Sequence, residues 1–414
     1  MLPYWYDTTV KPAKGYRVYD PGNGLLLGPR SWLGQIRSFP KNGNRRAQHE
    51  SVRGLVSQSR LLWVFSRAHR LGYSTVTHDY FNAAAQGYSY LMREMFDHEQ
   101  GGFYWKADLK RGVIEPHKIL YGQSIAIYAL VEYHRAGNLS EPLELAHTVF
   151  DIVQQKLSDN SRGGWFEHCE RDFTPLSCTG ERVPGMPDIV GFRSADAHLH
   201  LMEALTELYL AGKNNSVRDA LLKVIELLCT RFYPPDVAES CELRMPDWTA
   251  VDNGEAPVVS HGHMVEFAWL LLQAQRALGL PRDWDHFEKL LRHSLRYGFD
   301  HDRGGFYFRG APNEPAGDTT KYWWVQAEGL AALTDAATHF DSSDFNRALD
   351  SLVDWILKCQ IRSRDGVWIV STDAAGRPQN VKKAGEWKAA YHEVRAITKF
   401  IGRWIPDSQY DCYQ

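Results

Sequence analysis

The sequence predicts an all-α fold, an (α/α)6 barrel built as a closed toroid of six helical hairpins. Three observations predict it. About twelve segments carry apolar residues at three- and four-residue spacing. A glycine-pair motif recurs at regular intervals along the chain. Alternate helices are apolar on most sides yet carry polar groups near their N-terminal ends, as helices facing a central funnel would.

The periodicity places helices near 55–71, 80–97, 118–136, 141–157, 195–211, 215–232, 262–278, 284–298, 323–340, 343–360 and 388–404, with a shorter one near 30–39. The repeat reads DHEQGGFYW (97–105), DNSRGGWFE (159–167) and DHDRGGFYF (300–308), with RDGVW (364–368) as a weaker copy. Intervals between copies are multiples of about 60 to 70 residues, which is the signature of a repeat array. Gly-Gly permits positive φ where a helix ends and the chain turns back, and the aromatics start a short extended return. The unit from 195 to 250 has RFYPPDVAES in place of the motif, so an irregular connection is expected there. An open helical solenoid is the alternative. It would leave two ends to be capped, and the repeat number suits closure better. No low-complexity linker interrupts the chain, and one domain spanning 1–414 is expected.

Composition narrows the function. The 414 residues are 44% hydrophobic and 23% charged, with a net charge of −3. That balance gives no electrostatic footprint for nucleic acid or an anionic membrane. Aromatics reach 13%, which a large core or a carbohydrate site would each explain. The six cysteines show no CxxC spacing, and six in a chain of this length is no disulfide scaffold. The N-terminus lacks a basic segment followed by an apolar run, and no apolar stretch reaches membrane-spanning length. A soluble, cytoplasmic protein is expected. Its oligomeric state is open, a homodimer included.

The first helix of each pair supplies the chemistry. SQSR ends at Arg60; LYGQS brings Tyr121 and Gln123; SADAHLHLMEA brings Asp196, His198, His200 and Glu203. SHGHMVEFAW brings His263 and Glu266; KYWWVQAEG brings Trp323, Trp324, Gln326 and Glu328; EWKAAYHEVR brings Trp387, Lys388, Tyr391, His392 and Arg395. A lone histidine on such a helix is more often a satisfied core residue than a catalyst. The same bias on six helices is harder to dismiss. HxH and HxxE spacings can furnish metal ligands, but there is no HExxH, no ExxH pair and no cysteine contribution, so no metal and no cofactor are expected. Glycoside hydrolysis needs two flanking carboxylates, for which Glu266 and Glu328 are candidates, yet the funnel is richer in histidine than that chemistry requires. Proton transfer beside a carbonyl uses more of the set. His263 and His392 could exchange a C2 proton on opposite faces of an open-chain sugar. Arg60 could hold the enediolate oxygen, and Glu266, one turn from His263, could orient a histidine.

At these residues the chain resembles the N-acylglucosamine 2-epimerase superfamily, which includes cellobiose and mannose 2-epimerases and mannose and sulfoquinovose isomerases. The motifs are QSRLLWVFS, GHMVEFAWLL, KYWWVQAEG and EWKAAYHEVR, in order, and the likeness runs from about residue 50 to 400. The resemblance implies the (α/α)6 barrel and a cofactor-independent 2-epimerase acting on a sugar, with aldose–ketose isomerisation as the alternative. It implies His263 and His392 as the acid–base pair, Arg60 on the enolate oxygen, and His200 in ring opening or binding. Glu266 and Glu328 would support the site, and Tyr121, Trp324 and Trp387 would contact sugar. Asp196 departs from the pattern: many sugar epimerases carry Asn there, and an extra carboxylate would bear on sugar preference. WWVQAE and LLWVFS are similar to the cellobiose and mannose 2-epimerase branch. No GxxxxGK loop suggests nucleotide binding.

Overall fold

The computed structural model describes residues 1–10, 14–18, 51–178, 187, 189–251 and 258–404. The helix expected near 30–39 lies outside these residues. The chain forms two compact units. The first comprises 1–213, 245–249 and 382–391; the second comprises 214–244, 250–381 and 392–414.

In the first unit, α1 (Leu2–Thr9) precedes the hairpin α2 (Leu55–Arg70) and α3 (Tyr80–Tyr90), the hairpin α4 (Leu120–Gly137) and α5 (Ser140–Ile152), and α6 (Ala195–Gly212). In the second, α7 (Asn215–Leu227) precedes α8 (His261–Ala277) with α9 (Trp284–Gly298), then α10 (Trp323–His339) with α11 (Ser343–Trp355). The last helix, α12 (Tyr391–Gly402), has its first residue in the first unit and the rest in the second. Helix α1 has no counterpart in the periodic segments. It is short, and Pro3 at its start suits a first turn whose N–H needs no partner.

First and second helices differ as the pattern requires. In α2 every residue from Leu55 to Ala68 is buried. In α7 only Val217, Ala220, Leu221 and Val224 are buried, a single stripe. First helices pack side by side within each unit, α2 on α4 and α4 on α6, then α8 on α10. Several second helices finish in one π-helical turn, at Leu91–Met95, Val153–Leu157, Leu228–Phe232 and Ile356–Gln360.

The glycine-pair motif now has a physical account. Both glycines of each full copy adopt positive φ, from +67° at Gly102 to +86° at Gly305. At Gly304 an added Cβ would also meet the Ser351 carbonyl oxygen at 2.2 Å. The leading aspartate closes the turn with one oxygen and pairs with a buried cation through the other. Asp97 Oδ1 accepts from the Glu99 and Gln100 amides, while Oδ2 lies 3.0 Å from Lys118 Nζ. Asp300 Oδ1 accepts from Asp302 and Arg303, while Oδ2 accepts from Lys321 at 2.8 Å. Asp159 repeats the arrangement with Arg193. Each cation comes from the extended residues just before the next first helix. Those residues pair with the return strand, as in Lys118–Ile119 against His168–Cys169 and Lys321–Tyr322 against Ser371–Thr372.

Glutamines complete the return. Gln123 accepts from the Phe103 amide and donates to its carbonyl, both at 2.8 Å. Gln326 does the same to Phe306 at 2.7 Å. Both were grouped by sequence with the polar residues at helix starts, but their amides serve the backbone. The irregular unit runs from the π turn at Leu228–Phe232 through a 3-10 turn at Val237–Glu239 to Leu243–Arg244. Among the described residues no helix is long and apolar enough to cross a membrane.

Lys321 is fully buried, and its burial pulls the ammonium down to about 8 despite Asp300 beside it. Removing the carboxylate would strand this cation. Asp300→Asn should cost about 3 kcal/mol of unfolding free energy, read as a lowered urea midpoint. A change within about 0.5 kcal/mol, the range of ordinary surface substitutions, would show that the pair does not hold the turn.

Candidate active site

The first unit gathers five of the expected residues, Arg60, Tyr121, Asp196, His200 and Trp387. Arg60 is buried in the second turn of α2 and donates from Nη1 to the Trp387 carbonyl at 2.6 Å and from Nη2 to the Tyr121 hydroxyl at 2.7 Å. Its guanidinium also sits 5.1 Å from the centre of the Tyr391 ring. Tyr121 meets His200 edge-on at 4.7 Å and Trp387 at 5.7 Å. His200 stands between two carboxylates. Its Nδ1 bonds to Glu203 Oε2 at 3.2 Å, and its Nε2 lies 3.2 Å from Asp196 Oδ1. Ionised carboxylates offer only acceptors, so each ring nitrogen faces an acceptor. Tyr391 donates its hydroxyl to the other oxygen of Glu203. The departure at Asp196 therefore sits directly against the His200 ring.

The second unit holds the remaining five, His263, Glu266, Trp324, Glu328 and His392. His263 lies in the first turn of α8, whose Ser260 cap accepts from the His263 amide at 3.2 Å. His263 Nδ1 bonds to Glu242 Oε2 at 2.8 Å. Sequence reasoning gave this role to Glu266, one turn along α8. Glu242 comes instead from the irregular segment, and Glu266 Oε1 accepts from Arg395 Nη2 at 2.5 Å. His392 opens α12, and its Nδ1 bonds to Glu328 Oε1 at 2.6 Å. Glu328 is fully buried and takes Trp269 Nε1 at 3.1 Å and Arg395 Nη2 at 2.8 Å on its second oxygen. Expected to support the site, it accepts from the ring of His392.

Trp324 joins the two histidines. Its ring lies 4.8 Å from that of His263 and 6.1 Å from that of His392. Of the adjacent tryptophans, Trp324 is the partly exposed one, while Trp323 is 5% exposed. Gly262 makes this approach possible, since a Cβ there would meet the Trp324 ring at 2.4 Å.

Glu266, Glu328 and His392 present ligand atoms within 4.8 Å of one another, the one such grouping among the described residues. Arg395 already bridges both carboxylates, so the neutralising charge comes from the chain itself. A divalent ion there would have to displace a guanidinium that also lies 4.8 Å from the Trp269 ring. Arg395 and Tyr391 were visible in EWKAAYHEVR, but only the fold shows what they bind. Glu242 carried no motif signal.

The comparisons with known proteins follow this geometry. Residues 34–396 match the family model of N-acylglucosamine 2-epimerase. The chain belongs to that family. A cellobiose 2-epimerase from Bacteroides fragilis is 26% identical over 407 residues, covering 97% of this chain and 96% of that protein. A D-mannose isomerase from Marinomonas mediterranea is 25% identical over 416 residues, covering 97% and 94%. The structure of a cellobiose 2-epimerase from Bacillus thermoamylovorans superposes with a TM-score of 0.80 at 24% identity, covering 97% of this chain and 96% of that one. The expected (α/α)6 barrel fold stands on this likeness, and membership makes the chain a carbohydrate epimerase or isomerase.

His261 belongs to neither cluster. It is fully buried, its ring packs where a Cβ on Gly298 would sit, and neither ring nitrogen has a hydrogen-bond partner. Burial pulls it down to about 3, with the nearby His293 adding to the effect. The unfolded chain takes up a proton near pH 6.5 that the folded chain refuses. Stability is thus complete above that pH and falls as pH drops toward 3, by up to about 5 kcal/mol. His261→Gln should flatten this acid loss, as measured by denaturation midpoints at about pH 7 and about pH 4.5. An unchanged slope would mean that other groups set it.

Proposed function

We propose that this enzyme interconverts the C2 epimers of an aldose or N-acyl hexosamine by two-histidine proton transfer through an enediolate. The observation that carries the reading is the pair of matched histidines. His263 and His392 each commit Nδ1 to a separate buried glutamate, and both pack against Trp324. A carboxylate on Nδ1 fixes the tautomer, so proton exchange falls to Nε2. One histidine removes the C2 proton from the open-chain sugar. The electron pair moves into the enediolate, and the other histidine delivers a proton to the opposite face. Each turnover leaves the proton on the first histidine, and solvent exchange or the reverse reaction resets the pair. No cofactor enters this scheme, because imidazole already titrates near neutral pH.

Arg60 takes the role of donor to the enediolate oxygen, which its fixed guanidinium suits. We assign His200 and Asp196 to substrate binding, and Tyr121, Trp324 and Trp387 to apolar sugar faces. Glu266 acts through Arg395 and Glu328 through His392, both as positioning residues. The relatives named cellobiose 2-epimerase make cellobiose the first substrate to test. The D-mannose isomerase relative supports a second reading, in which the proton returns to C1 and a ketose forms. We further infer one domain over 1–414, because each unit includes segments that lie on either side of the other's in sequence. A cytoplasmic location and a homodimer complete the reading, the first from cysteine usage.

Incubation with cellobiose, mannose, N-acetylmannosamine and fructose in D2O, followed by NMR, tests the reaction. Deuterium should enter C2 of one substrate together with its epimer; ketose formation would favour isomerisation, and no exchange in any sugar would overturn both. His263→Ala and His392→Ala should each lower kcat by about 10²- to 10⁴-fold while leaving the far-UV circular dichroism unchanged.

A further inference from the structure

We propose that Glu242 is a positioning residue for His263, fixing the nitrogen through which that histidine exchanges its proton. This deepens the two-histidine reading and rests on it. Glu242 is 5% exposed and accepts from three donors. Its Oε2 takes His263 Nδ1 at 2.8 Å. Its Oε1 takes the Ser260 amide at 2.8 Å and the Tyr233 hydroxyl at 3.2 Å. The carboxylate is thus anchored to the start of the helix that carries His263. With only acceptors on Glu242, the Nδ1 of His263 must bear hydrogen, and the lone pair of the neutral ring falls on Nε2.

A second copy of the device shows what is particular here. Glu167 accepts from the Ser194 amide and hydroxyl at the start of α6, and lies 3.3 Å from His198 Nδ1. That histidine follows its serine by four residues, and its Nδ1 also bonds to the Ser194 carbonyl at 2.9 Å. It packs on Trp165 and Trp248. His263 follows Ser260 by three residues, which turns it by about 100° around the helix and onto Trp324. One module of the repeat therefore serves as scaffold in α6 and as a histidine clamp in α8.

The test incubates each C2 epimer separately with Glu242→Gln in D2O and follows both epimerisation and exchange at C2. Epimerisation should fall by about 100-fold, in line with loss of one acid–base group. Exchange should survive in the epimer that His392 deprotonates, without inversion, because deuterium returns from the same face. It should vanish in the epimer that His263 deprotonates. Glu242→Asp, which keeps the charge but draws it away from Nδ1, should give the same asymmetry and covers any folding failure of the first variant. Glu167→Gln should lower the melting temperature without asymmetry. Equal loss of exchange from both epimers, or epimerisation within about twofold of the parent, a change of under 0.5 kcal/mol, would overturn the role of Glu242. Absence of C2 exchange in the parent enzyme would overturn the epimerase reading instead.

Discussion

Each full glycine-pair turn closes on one buried ion pair, and the placement of the next first helix follows from it. The aspartate holds the turn with one oxygen and a buried cation with the other. That cation sits just ahead of the next helix, as Lys118 does for α4 and Lys321 for α10. A buried ammonium without its carboxylate would be costly, so the turn and the start of the following helix stabilise each other. The start of a first helix is thus fixed by the turn before it. Those starts carry Tyr121, His200 and Trp324, while α8, which carries His263, follows the irregular segment and is tied at its start by Glu242 on the Ser260 amide.

Histidine chemistry then depends on carboxylates fixed with equal care. Glu328 accepts from His392, Trp269 and Arg395, and Glu242 from His263, Tyr233 and the Ser260 amide. A glutamate with several donors cannot swing, so the imidazole it holds cannot swing either. Preorganisation of this kind avoids reordering at the moment of proton transfer. The two sides differ in how the negative charge is balanced. Glu328 shares a guanidinium with Glu266, while Glu242 is met by neutral donors. The two buried histidine–glutamate pairs are therefore unlike in how their charge is balanced.

Much of this was legible because it is periodic. Apolar spacing located the helices, since a 3.6-residue period survives in the sequence, and the glycine pairs located the turns. The motifs marked His263, His392 and Arg60. What was not legible depends on long-range pairing. Glu266 and Glu242 are both near His263 in different senses, one along the helix and one through the fold. Sequence spacing sees only the first. Glu328 presents the same problem, since a glutamate on a polar helix start reads equally as a sugar contact or as the holder of a histidine.

Gln123 and Gln326 sharpen the point. They occupy the first turn of their helices, as Tyr121 and Trp324 do, and were grouped with them. Yet each is fully buried with its amide closed on a phenylalanine backbone. The difference is one of helical angle. Residues two apart on a helix point about 200° away from each other. Tyr121 and Gln123, like Trp324 and Gln326, therefore diverge, one to the ring cluster and one to the return strand. Polar content at a helix start cannot separate these roles, but the register against the repeat can. Where a polar residue aligns with Gln123 and Gln326, it holds the backbone; where it aligns with Tyr121 and Trp324, it is available for chemistry.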